Sequence, residues 1–460
     1  MQILYLISAA IGILFLVCYA YQLAYIPAVW IGRRNARKSA ETVKNTGEAA
    51  AGGAAGSRQA LPVRVRDAAA LICARNEETV IRDLIRSLRA QTYPRAHLKI
   101  FVMADNCTDR TADMARAAGA LVYERQNTEQ VGKGWALQTL LGHIREDFPN
   151  GFDTYYVFDA DNLLEPDYIE QMDRMFAEGY EIVTSYRNSK NYGTNWISAG
   201  YALWFLRESR YLNHARHLLG TSCAVSGTGF AFSRAVAEEA GDWPYHLLTE
   251  DIEFSIDQIT KGRRIAFCEH AVLYDEQPVT FAQSVRQRMR WVRGYLQVFR
   301  HYGRRLFAGI FRGNFACYDM TMNIFPAFFL SAASIAVNVL LTVFTVRSGA
   351  GLQPVAENAA LSFLQMYGML FLIGAVTTAT EWRQIRTSPA RKIGYLFTFP
   401  LFMFTYLPVA VAAVFKDTGW KPITHCVTAE DAESMAWSSR GQCGKPDKYS
   451  GGLVRQSGRL

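Results

Sequence analysis

The sequence lacks several patterns that mark common classes of protein. Its eight cysteines include no Cys-x-x-Cys pair and no cysteine–histidine spacing of a zinc site, which argues against a zinc centre and a disulfide framework. No internal repeat is present. The net charge of +8 is weak support for nucleic-acid binding, and no nucleic-acid partner is predicted, because much of the basic excess lies beside hydrophobic stretches.

Charge is absent from residues 3–30, a stretch long enough to cross about 30 Å of hydrocarbon as a helix. No basic region precedes this stretch and no small-residue cleavage site follows it, so it is not typical of a secretory signal. Three more hydrophobic stretches lie at about 321–346, 359–380 and 395–415. The sequence therefore predicts an integral membrane protein.

Basic residues predict the orientation of the chain in the membrane. The first hydrophobic stretch is followed by Arg33, Arg34, Arg37 and Lys38. Basic residues favour the cytoplasmic side, so the chain from residue 31 onward is predicted to be cytoplasmic. If all four hydrophobic stretches cross the membrane, the tail after residue 415 lies outside. Pro400 and Pro408 leave open a re-entrant last segment, and the side of the tail stays open.

Strands and helices alternate from about residue 64 onward. Residues 46–57, just before, are rich in glycine and alanine, which is typical of a flexible tether. Strands are predicted at 68–73, 98–105, 120–126, 153–161 and 180–187, with a helix between each consecutive pair. This pattern predicts an α/β fold with a mostly parallel sheet, whose ligands bind beyond the carboxyl ends of the strands.

Two carboxylates follow the fourth predicted strand. Asp159 and Asp161 are separated by one residue, and side chains on an extended strand repeat every two residues, so both are predicted to point the same way. Two converging carboxylates are hard oxygen ligands, suited to Mg²⁺ or Mn²⁺ shared with a diphosphate. The alternative for this pattern alone is a solvated loop.

Polar residues also lie at or near the carboxyl ends of the earlier strands. They are Arg75, Asn76 and Glu77 after the first strand, Asp105 and Asn106 at the end of the second, and Lys133 in a glycine-flanked loop. Each has an ordinary alternative as a helix cap or a turn residue. Several polar strand ends at one edge of a sheet nevertheless favour a shared nucleotide site.

A second group of candidates lies further along the chain. Gly227 and Thr228 belong to an extended segment, SGTGFAFSR, that a sugar or a backbone can approach closely. Thr249 is a candidate cap for a helix whose first turn holds Glu250 and Asp251, where the helix dipole favours negative charge. The functional alternative makes Asp251 a general base.

A basic amphipathic helix is predicted from Phe281 onward. Its apolar residues recur every three or four positions, and the segment from Arg286 to Arg312 contains eight arginines and no acidic residue. Such a helix can lie on anionic lipid headgroups. The same helix can also hold a leaving diphosphate through Arg288 and Arg290, because the guanidinium fork matches phosphate oxygens.

Three motifs occur in order: D-A-D at 159–161, T-E-D at 249–251 and Q-R-M-R-W at 287–291. With the hydrophobic stretches that follow, they resemble the membrane-embedded, inverting family-two glycosyltransferases, which include the cellulose, chitin, hyaluronan and poly-N-acetylglucosamine synthases. The resemblance covers about residues 66–310 and the flanking stretches. It implies a GT-A nucleotide-sugar fold on the cytoplasmic side of a bacterial plasma membrane, with a UDP-sugar donor and Mg²⁺ or Mn²⁺.

The resemblance implies roles for the matching positions. On the donor side, Glu77 and Asp105 match nucleoside-binding residues, Lys133 a basic residue near the diphosphate, and Asp159 and Asp161 the metal-binding pair, with Arg75 at the same edge. Asp251, beside Glu250, matches the catalytic base. Arg288 and Arg290 match residues that steady the leaving UDP. Trp291 and Gln287 match acceptor-binding positions, to which Gly227 and Thr228 are added.

The predicted organisation has six parts: a membrane helix at 1–30, a linker at 31–63, a catalytic domain at 64–278, an interfacial helix at 279–312, about three membrane segments at 313–415 and a tail at 416–460. The predicted function is transfer of sugar from UDP-N-acetylglucosamine or UDP-glucose to a growing polysaccharide, with secretion. Single transfer to a lipid or other membrane acceptor is the alternative.

A catalytically inactive membrane scaffold is a third hypothesis. The intact Asp159, Asp161, Asp251 and Arg290 argue against it, because a scaffold has no use for all four. Membrane lipids are expected partners. The hydrophobic stretches are fewer than in cellulose synthase, so a secretion channel would call for a second copy of the chain or an accessory protein.

Overall fold

The computed structural model of the chain describes residues 2–35, 38, 64–241, 243–349, 353–416 and 425–432. The predicted tether at 46–57 lies outside these residues. So do most of the predicted linker and most of the predicted tail.

An eight-stranded mixed sheet forms the centre of the α/β domain, in the order β3-β2-β1-β4-β7-β6-β8-β5. Its strands are β1 (Ala68–Ala74), β2 (Leu98–Asp105), β3 (Leu121–Arg125), β4 (Thr154–Asp159), β5 (Leu163–Leu164), β6 (Ile182–Ser189), β7 (Phe230–Ser233) and β8 (Ile265–Asp275). Strands β1 to β4 correspond to the first four predicted strands and are mutually parallel. Strand β7 runs antiparallel to both β4 and β6. The carboxyl ends of β1, β2 and β4 therefore meet at one edge, called here the strand-end edge.

Helices cover both faces of this sheet. They are α3 (Ile81–Arg89), α4 (Thr111–Ala117), α5 (Lys133–Asp147), α6 (Tyr168–Ala177), α7 (Trp196–Arg207), α8 (His214–Leu218), α9 (Arg234–Ala240) and α10 (Glu250–Thr260). In β4, Tyr155 and Val157 pack into the core that contains α5, while Tyr156 and Phe158 pack into the core that contains α3 and α6. Burial on both faces explains why the strand is apolar or aromatic from Tyr155 to Phe158, directly before Asp159.

Among the residues that the structure describes, four helical segments are long and apolar enough to span a membrane: Leu6–Asn35, Phe329–Arg347, Val355–Thr380 and Pro389–Phe415. The first combines α1 (Gln2–Tyr19), a 3₁₀ turn and α2 (25–35). The predicted segment at 321–346 is divided at Phe325 between α12 (Phe315–Ile324) and α13 (Pro326–Arg347), and α14 (Gln353–Thr380) follows. The hydrophobic segments predicted from the sequence are thus helical.

The chain contacts the α/β domain both near the start of the last apolar segment and beyond its end. It consists of α15 (Pro389–Phe404) and α16 (Tyr406–Phe415). Near its start, Arg391 donates a hydrogen bond of 3.0 Å to the carbonyl of Gly193 in the α/β domain. Beyond it, Lys190 of the same domain donates one of 2.7 Å to the carbonyl of Val427. The described part of the tail therefore lies on the same side as the α/β domain, as a re-entrant segment requires.

Helix α11 (Phe281–Phe311) joins the α/β domain to these apolar helices. Its Met289 and Val292 pack against Val409 and Ala413 of α16. The two parts of the molecule are also connected by a buried ion pair, in which Arg216 and Asp319 lie 2.6 Å apart. These contacts fix the orientation of α11 over the strand-end edge.

Candidate functional site

Asp159 and Asp161 are placed differently from the prediction for an extended strand. β4 ends at Asp159, and the chain then turns, with the amide of Asn162 donating to the carbonyl of Asp159 over 3.1 Å. The Asp159 side chain is 39% exposed, whereas Asp161 is 5% exposed and accepts a hydrogen bond of 2.7 Å from the amide of Glu276. The strand periodicity on which that prediction rests does not apply to Asp161, because β4 ends at Asp159, two residues earlier than predicted.

Lys133 connects the Asp159 carboxylate to the Gly227 segment. Its ammonium group lies 2.5 Å from Asp159 Oδ1 and donates to the Gly227 carbonyl over 2.6 Å. Burial disfavours the ammonium, but Asp159 and Glu250 outweigh this effect and raise the pKa of Lys133. Lys133 is also the first residue of α5, and the positive end of a helix dipole favours bound anions.

Gly227 lies between two carboxylates. Its φ of +76° is in the left-handed region, and a Cβ on this residue would stand 3.9 Å from Asp251 Oδ2 and 4.0 Å from Asp159 Oδ2. Any side chain here would enter the space between the two acids, which explains the glycine at this position. The candidate base and the candidate donor-binding carboxylate thus face one small space.

Glu250 and Asp251 form the first turn of α10 and are both half-buried. Burial and the neighbouring Asp251 raise the pKa of Glu250 to about 7, against the opposing charges of Lys133 and Arg290. Burial also raises the pKa of Asp251, although the Ile252 amide and Arg290 oppose it. An acid such as Glu250, with a pKa of about 7, is suited to proton transfer near neutral pH.

Thr249 does not cap α10 with its side chain. Its hydroxyl is buried and has no hydrogen-bond partner in the part of the chain that the structure describes. Gly294 of α11 packs directly against it, since a Cβ there would come within 2.4 Å of the Thr249 methyl carbon. The capping interpretation is therefore wrong, and the unpaired hydroxyl lies one residue before the acidic pair.

Thr228, predicted to bind the acceptor, instead holds the turn after β4. Its hydroxyl accepts a 2.9 Å hydrogen bond from the Asp159 amide and donates one of 2.5 Å to Asn162. Thr228 is 3% exposed. Because this hydroxyl already donates its proton to Asn162, it stabilises the turn after Asp159 and does not face an acceptor substrate.

The predicted nucleoside end of the site contains two basic residues that the sequence did not single out. Asp105 pairs with Arg125 at 2.7 Å, and Glu77 contacts the imidazole of His425 at 2.9 Å. Burial alone would lower the pKa of His425, but Asp161 and Glu77 outweigh it and raise this pKa to about 10. Neither contact follows from a local pattern, because each partner is distant in sequence.

Arg75, the remaining donor-side candidate, is half-buried directly after β1 at the same edge. The side-chain amide of Asn76 connects the loops after β1 and β2, and that of Asn106 connects the loops after β2 and β3. Asn76 accepts from the Thr108 amide and Asn106 from the Asn127 amide, each over 2.8 Å. Both asparagines have positive φ, which their short polar side chains tolerate.

Arg288 and Arg290 do not act together, contrary to the prediction. Arg288 is fully buried, donates to Thr405 over 2.7 Å and lies 4.8 Å from the ring centroids of Phe402 and Tyr406. Arg290 is half-buried, donates to the Leu248 carbonyl over 2.7 Å, and its charge acts on the acidic pair of α10. Residues two positions apart on a helix point about 200° apart, so only Arg290 is brought to the site.

Gln287 and Trp291 lie one helical turn apart on α11. The Gln287 side-chain oxygen is buried and has no hydrogen-bond partner among the described residues. The Trp291 ring is half-buried and packs edge-on against Tyr201 and Phe205, with centroid distances of 5.8 and 6.1 Å. An unpaired carbonyl beside an aromatic ring is a combination suited to a sugar.

The residues at the strand-end edge fit a divalent metal only together with a ligand. Among the described residues no group of three or more histidine, cysteine or acidic side chains has the geometry to hold a metal ion. Asp159 provides a hard carboxylate oxygen beside Lys133, and the buried Asp161, two residues later, provides another. This donor set suits Mg²⁺ or Mn²⁺ whose remaining ligands come from a diphosphate and water.

The sequence is similar to several known proteins. Residues 66–294 match the family described as "Glycosyltransferase like family 2". A probable glycosyltransferase of Bacillus subtilis is 29% identical over 252 residues, which cover 49% of this chain and 54% of the relative. A beta-monoglucosyldiacylglycerol synthase of Synechocystis is 24% identical and covers 80% of this chain and 77% of its own length. A poly-beta-1,6-N-acetyl-D-glucosamine synthase of Staphylococcus aureus is 22% identical and covers 49% of this chain and 53% of the relative.

One solved structure resembles the chain over most of its length. The Pyrobaculum calidifontis mannosyltransferase, in complex with GDP-Man and Mn²⁺, aligns with a TM-score of 0.54 and 16% identity over 90% of this chain and 99% of that one. The chain spans about half the length of the B. subtilis and S. aureus relatives. These likenesses confirm the predicted GT-A-like α/β fold, and residues 66–294 are a glycosyltransferase domain of family 2.

Proposed function

We propose that the protein transfers a sugar from a UDP-sugar to an acceptor hydroxyl, with inversion at the anomeric carbon. The observation that carries this proposal is the position of Gly227 between the Asp251 and Asp159 carboxylates. A sugar held at Asp159 through its diphosphate would have its anomeric carbon near the space that Asp251 faces. A base on one side and a leaving group on the other is the arrangement that single displacement requires.

The donor would bind along the strand-end edge. Glu77 and Asp105 are assigned to the nucleoside, and Lys133 to the diphosphate, where the start of α5 adds favourable backbone dipoles. Asp159 and Asp161 would hold Mg²⁺ or Mn²⁺ together with the diphosphate. When bound, the metal neutralises the charge that develops on the leaving group.

Asp251 is assigned as the base that accepts the proton of the acceptor hydroxyl. The hydroxyl oxygen then bonds to the anomeric carbon while the bond to the diphosphate oxygen breaks, so UDP leaves with the electron pair. Because the pKa of Glu250 is raised to about 7, Glu250 can carry the proton that two adjacent acids share near neutral pH. Asp251 is then left ionised, and Arg290 lowers the cost of this negative charge.

The acceptor proposed first is a growing polysaccharide, with UDP-N-acetylglucosamine or UDP-glucose as donor, at the cytoplasmic face of a bacterial plasma membrane. The unpaired Gln287 oxygen and the Trp291 ring support a sugar as the acceptor. The similarity to the staphylococcal polysaccharide synthase supports the same class. Secretion of the product would then require a passage across the membrane.

The second candidate is transfer of one sugar to a lipid. Two observations favour it. The Synechocystis relative, whose name describes a glycolipid synthase, covers 80% of this chain, including apolar helices. The re-entrant α15–α16 segment also leaves only three of the four candidate spans of the described chain to cross the membrane.

The deciding experiment supplies radiolabelled UDP-glucose and UDP-N-acetylglucosamine separately, with Mn²⁺ or Mg²⁺, to membranes that contain the full chain. Asp251→Asn should reduce transfer about 10²- to 10⁴-fold while UDP binding persists. A large polymer made from one donor supports the first candidate, and a small lipid-extractable product supports the second. Absence of metal-dependent UDP binding by the wild-type protein would contradict both and restore the scaffold hypothesis.

A further inference from the structure

One face of a buried helical stretch is partly exposed next to the candidate site. Helix α7 continues through a π-helical turn (Glu208–Asn213) into α8. From residue 197 to residue 216, every residue is buried except Trp204, Arg207 and Glu208. These three residues are three or four positions apart, so they form one stripe, called here the α7 stripe. π-Helical turns are frequent at functional sites, and Glu208 is the first residue of this turn.

Glu208 contacts the segment that separates the two candidate carboxylates. One of its carboxylate oxygens, Oε1, accepts a hydrogen bond from the hydroxyl of Ser226. Ser226 directly precedes Gly227, and a Cβ on Gly227 would stand 3.9 Å from the candidate base Asp251. The Glu208 carboxylate is therefore joined, through one hydrogen bond and one peptide unit, to the space in which transfer is proposed.

The other oxygen of Glu208, Oε2, is not used within the described chain. Among the residues that the structure describes, it accepts no hydrogen bond and forms no ion pair with a basic side chain. The charge of Glu208 acts on Arg187 and Arg207, but both have other partners. Arg187 donates to Asp275 over 2.6 Å, and Arg207 donates to Gln22 over 3.2 Å. A half-buried carboxylate with an unused oxygen is costly, and a ligand that donates hydrogen bonds removes this cost.

Tyr295 of α11 lies near both Glu208 and the candidate base. Burial raises the pKa of the Tyr295 hydroxyl, and the negative charges of Glu208 and Asp251 raise it further. Two acids act on one phenol only when both are close to it. The half-buried Trp291, a candidate acceptor-binding residue, lies one helical turn before Tyr295. Glu208, Asp251 and Trp291 are therefore neighbours around one part of α11.

The other end of the α7 stripe reaches the first membrane helix. Arg207 donates to the side chain of Gln22, which belongs to the apolar segment Leu6–Asn35. Its guanidinium carbon also lies 5.0 Å from the centroid of the Trp204 ring. The stripe therefore leads from the candidate site to a membrane helix, which is the direction in which a membrane-bound acceptor or a growing chain would extend.

We propose that the Glu208 carboxylate binds hydroxyl groups of the acceptor sugar, and that the acceptor extends from Asp251 along the α7 stripe toward the membrane. An ionised carboxylate accepts several short, strong hydrogen bonds at once, which suits the adjacent hydroxyls of a sugar ring. This inference rests on the proposed transfer reaction and adds to it an acceptor-binding residue that lies outside the three sequence motifs.

Replacing the carboxylate by an amide of the same shape tests the proposal. Membranes that contain the full chain receive the UDP-sugar that the wild-type protein uses, and both transferred sugar and free sugar are measured. Glu208→Gln should lower transfer about 10- to 100-fold, the effect of losing a hydrogen bond to a charged group. UDP binding should be unchanged, which also confirms that the variant is folded. Attack by water needs no contact with an acceptor sugar, so the share of consumed UDP-sugar that appears as free sugar should rise.

Two matched variants separate acceptor binding from a structural role. Ser226→Ala removes the hydrogen bond to Glu208 but keeps the carboxylate, so it should reduce transfer much less than Glu208→Gln. Glu146→Gln, which replaces an acid 79% exposed on α5, controls for the loss of one negative charge. Equal losses of transfer in the Ser226 and Glu208 variants would show that Glu208 only holds the Gly227 segment, and would overturn the inference.

The same assay distinguishes this inference from the proposed function. Transfer by the wild-type protein, together with near-normal transfer by Glu208→Gln, overturns the inference and leaves the proposed function standing. A wild-type protein that transfers no sugar and binds no UDP overturns the proposed function, and the acceptor role of Glu208 with it.

Discussion

The strand-end edge and helix α11 both carry polar motifs, and they differ in how these motifs become a site. At the edge, Glu77, Asp105 and Asp159 lie at or just after the carboxyl ends of three separate strands and converge. On α11, Arg288 and Arg290 come from one motif and diverge, one into the aromatic interior and the other toward the acidic pair.

The difference follows from the geometry of the two elements. Parallel strands all present their carboxyl ends at one edge of a sheet, so residues distant in sequence meet there. A helix turns its side chains by about 100° per residue, so neighbours in a motif separate unless they are three or four positions apart. Convergence at strand ends is therefore predictable from sequence. For a motif on a helix, each residue must first be assigned to one face of the helix.

The strand-end edge should show the largest functional effect. Lys133→Ala removes the ammonium that contacts both Asp159 and the Gly227 carbonyl, so we expect kcat/KM for the donor to fall about 10²- to 10³-fold. Titration with UDP should show weaker binding, and the Tm should fall only modestly, because Asp159 stays partly exposed to solvent when its ion pair with Lys133 is lost. Lys99→Ala, an exposed lysine on β2, is the control. Near-normal donor binding by Lys133→Ala would mean that the edge does not hold the diphosphate.

Substituting the two arginines of α11 one at a time should give the next largest effect. Arg290→Ala should lower kcat about 100-fold with little change in Tm, because it removes a charge that acts on the acidic pair. Arg288→Ala should instead lower stability by about 2 kcal/mol, the size of a desolvated cation–π contact, and leave kcat of the folded enzyme within a few-fold. Similar losses of kcat in both variants with unchanged Tm would contradict the division into faces.

Sequence reasoning recovered five of the eight strands and the residues that follow them, because local patterns control both. The five predicted strands and the residues that follow them were placed from apolar runs alone. The turn at Ala160 was missed because it depends on Thr228, 69 residues after Asp159, whose hydroxyl binds the Asp159 amide. The partners of Asp105 and Glu77 were missed for the same reason, since Arg125 and His425 reach them only through the tertiary fold.

The contact of His425 in the tail with Glu77 should have the smallest effect, and this effect on stability depends most on pH. His425 faces the carboxylates of Glu77, Asp161 and Glu276, and its pKa is raised to about 10. A histidine whose pKa is raised by folding contributes its full stabilisation at pH values below its pKa in the unfolded chain, which is about 6.5. This contribution is lost as the pH rises toward 10. The stabilisation is therefore expected to decline between about pH 6.5 and 10.

The Tm difference between wild-type protein and His425→Ala isolates the contribution of His425 and its carboxylate partners, because titrating groups elsewhere affect both proteins alike. We expect a difference of a few degrees at pH 6.5, about 2–4 °C for each kcal/mol, that shrinks steadily toward pH 10. His425→Gln keeps a hydrogen bond to Glu77 without a titrating charge, so its difference from wild type should also shrink while its own Tm stays above that of the alanine variant. A difference that grows with pH would show that His425 is neutral in the folded protein, and that the tail binds Glu77 without an ion pair.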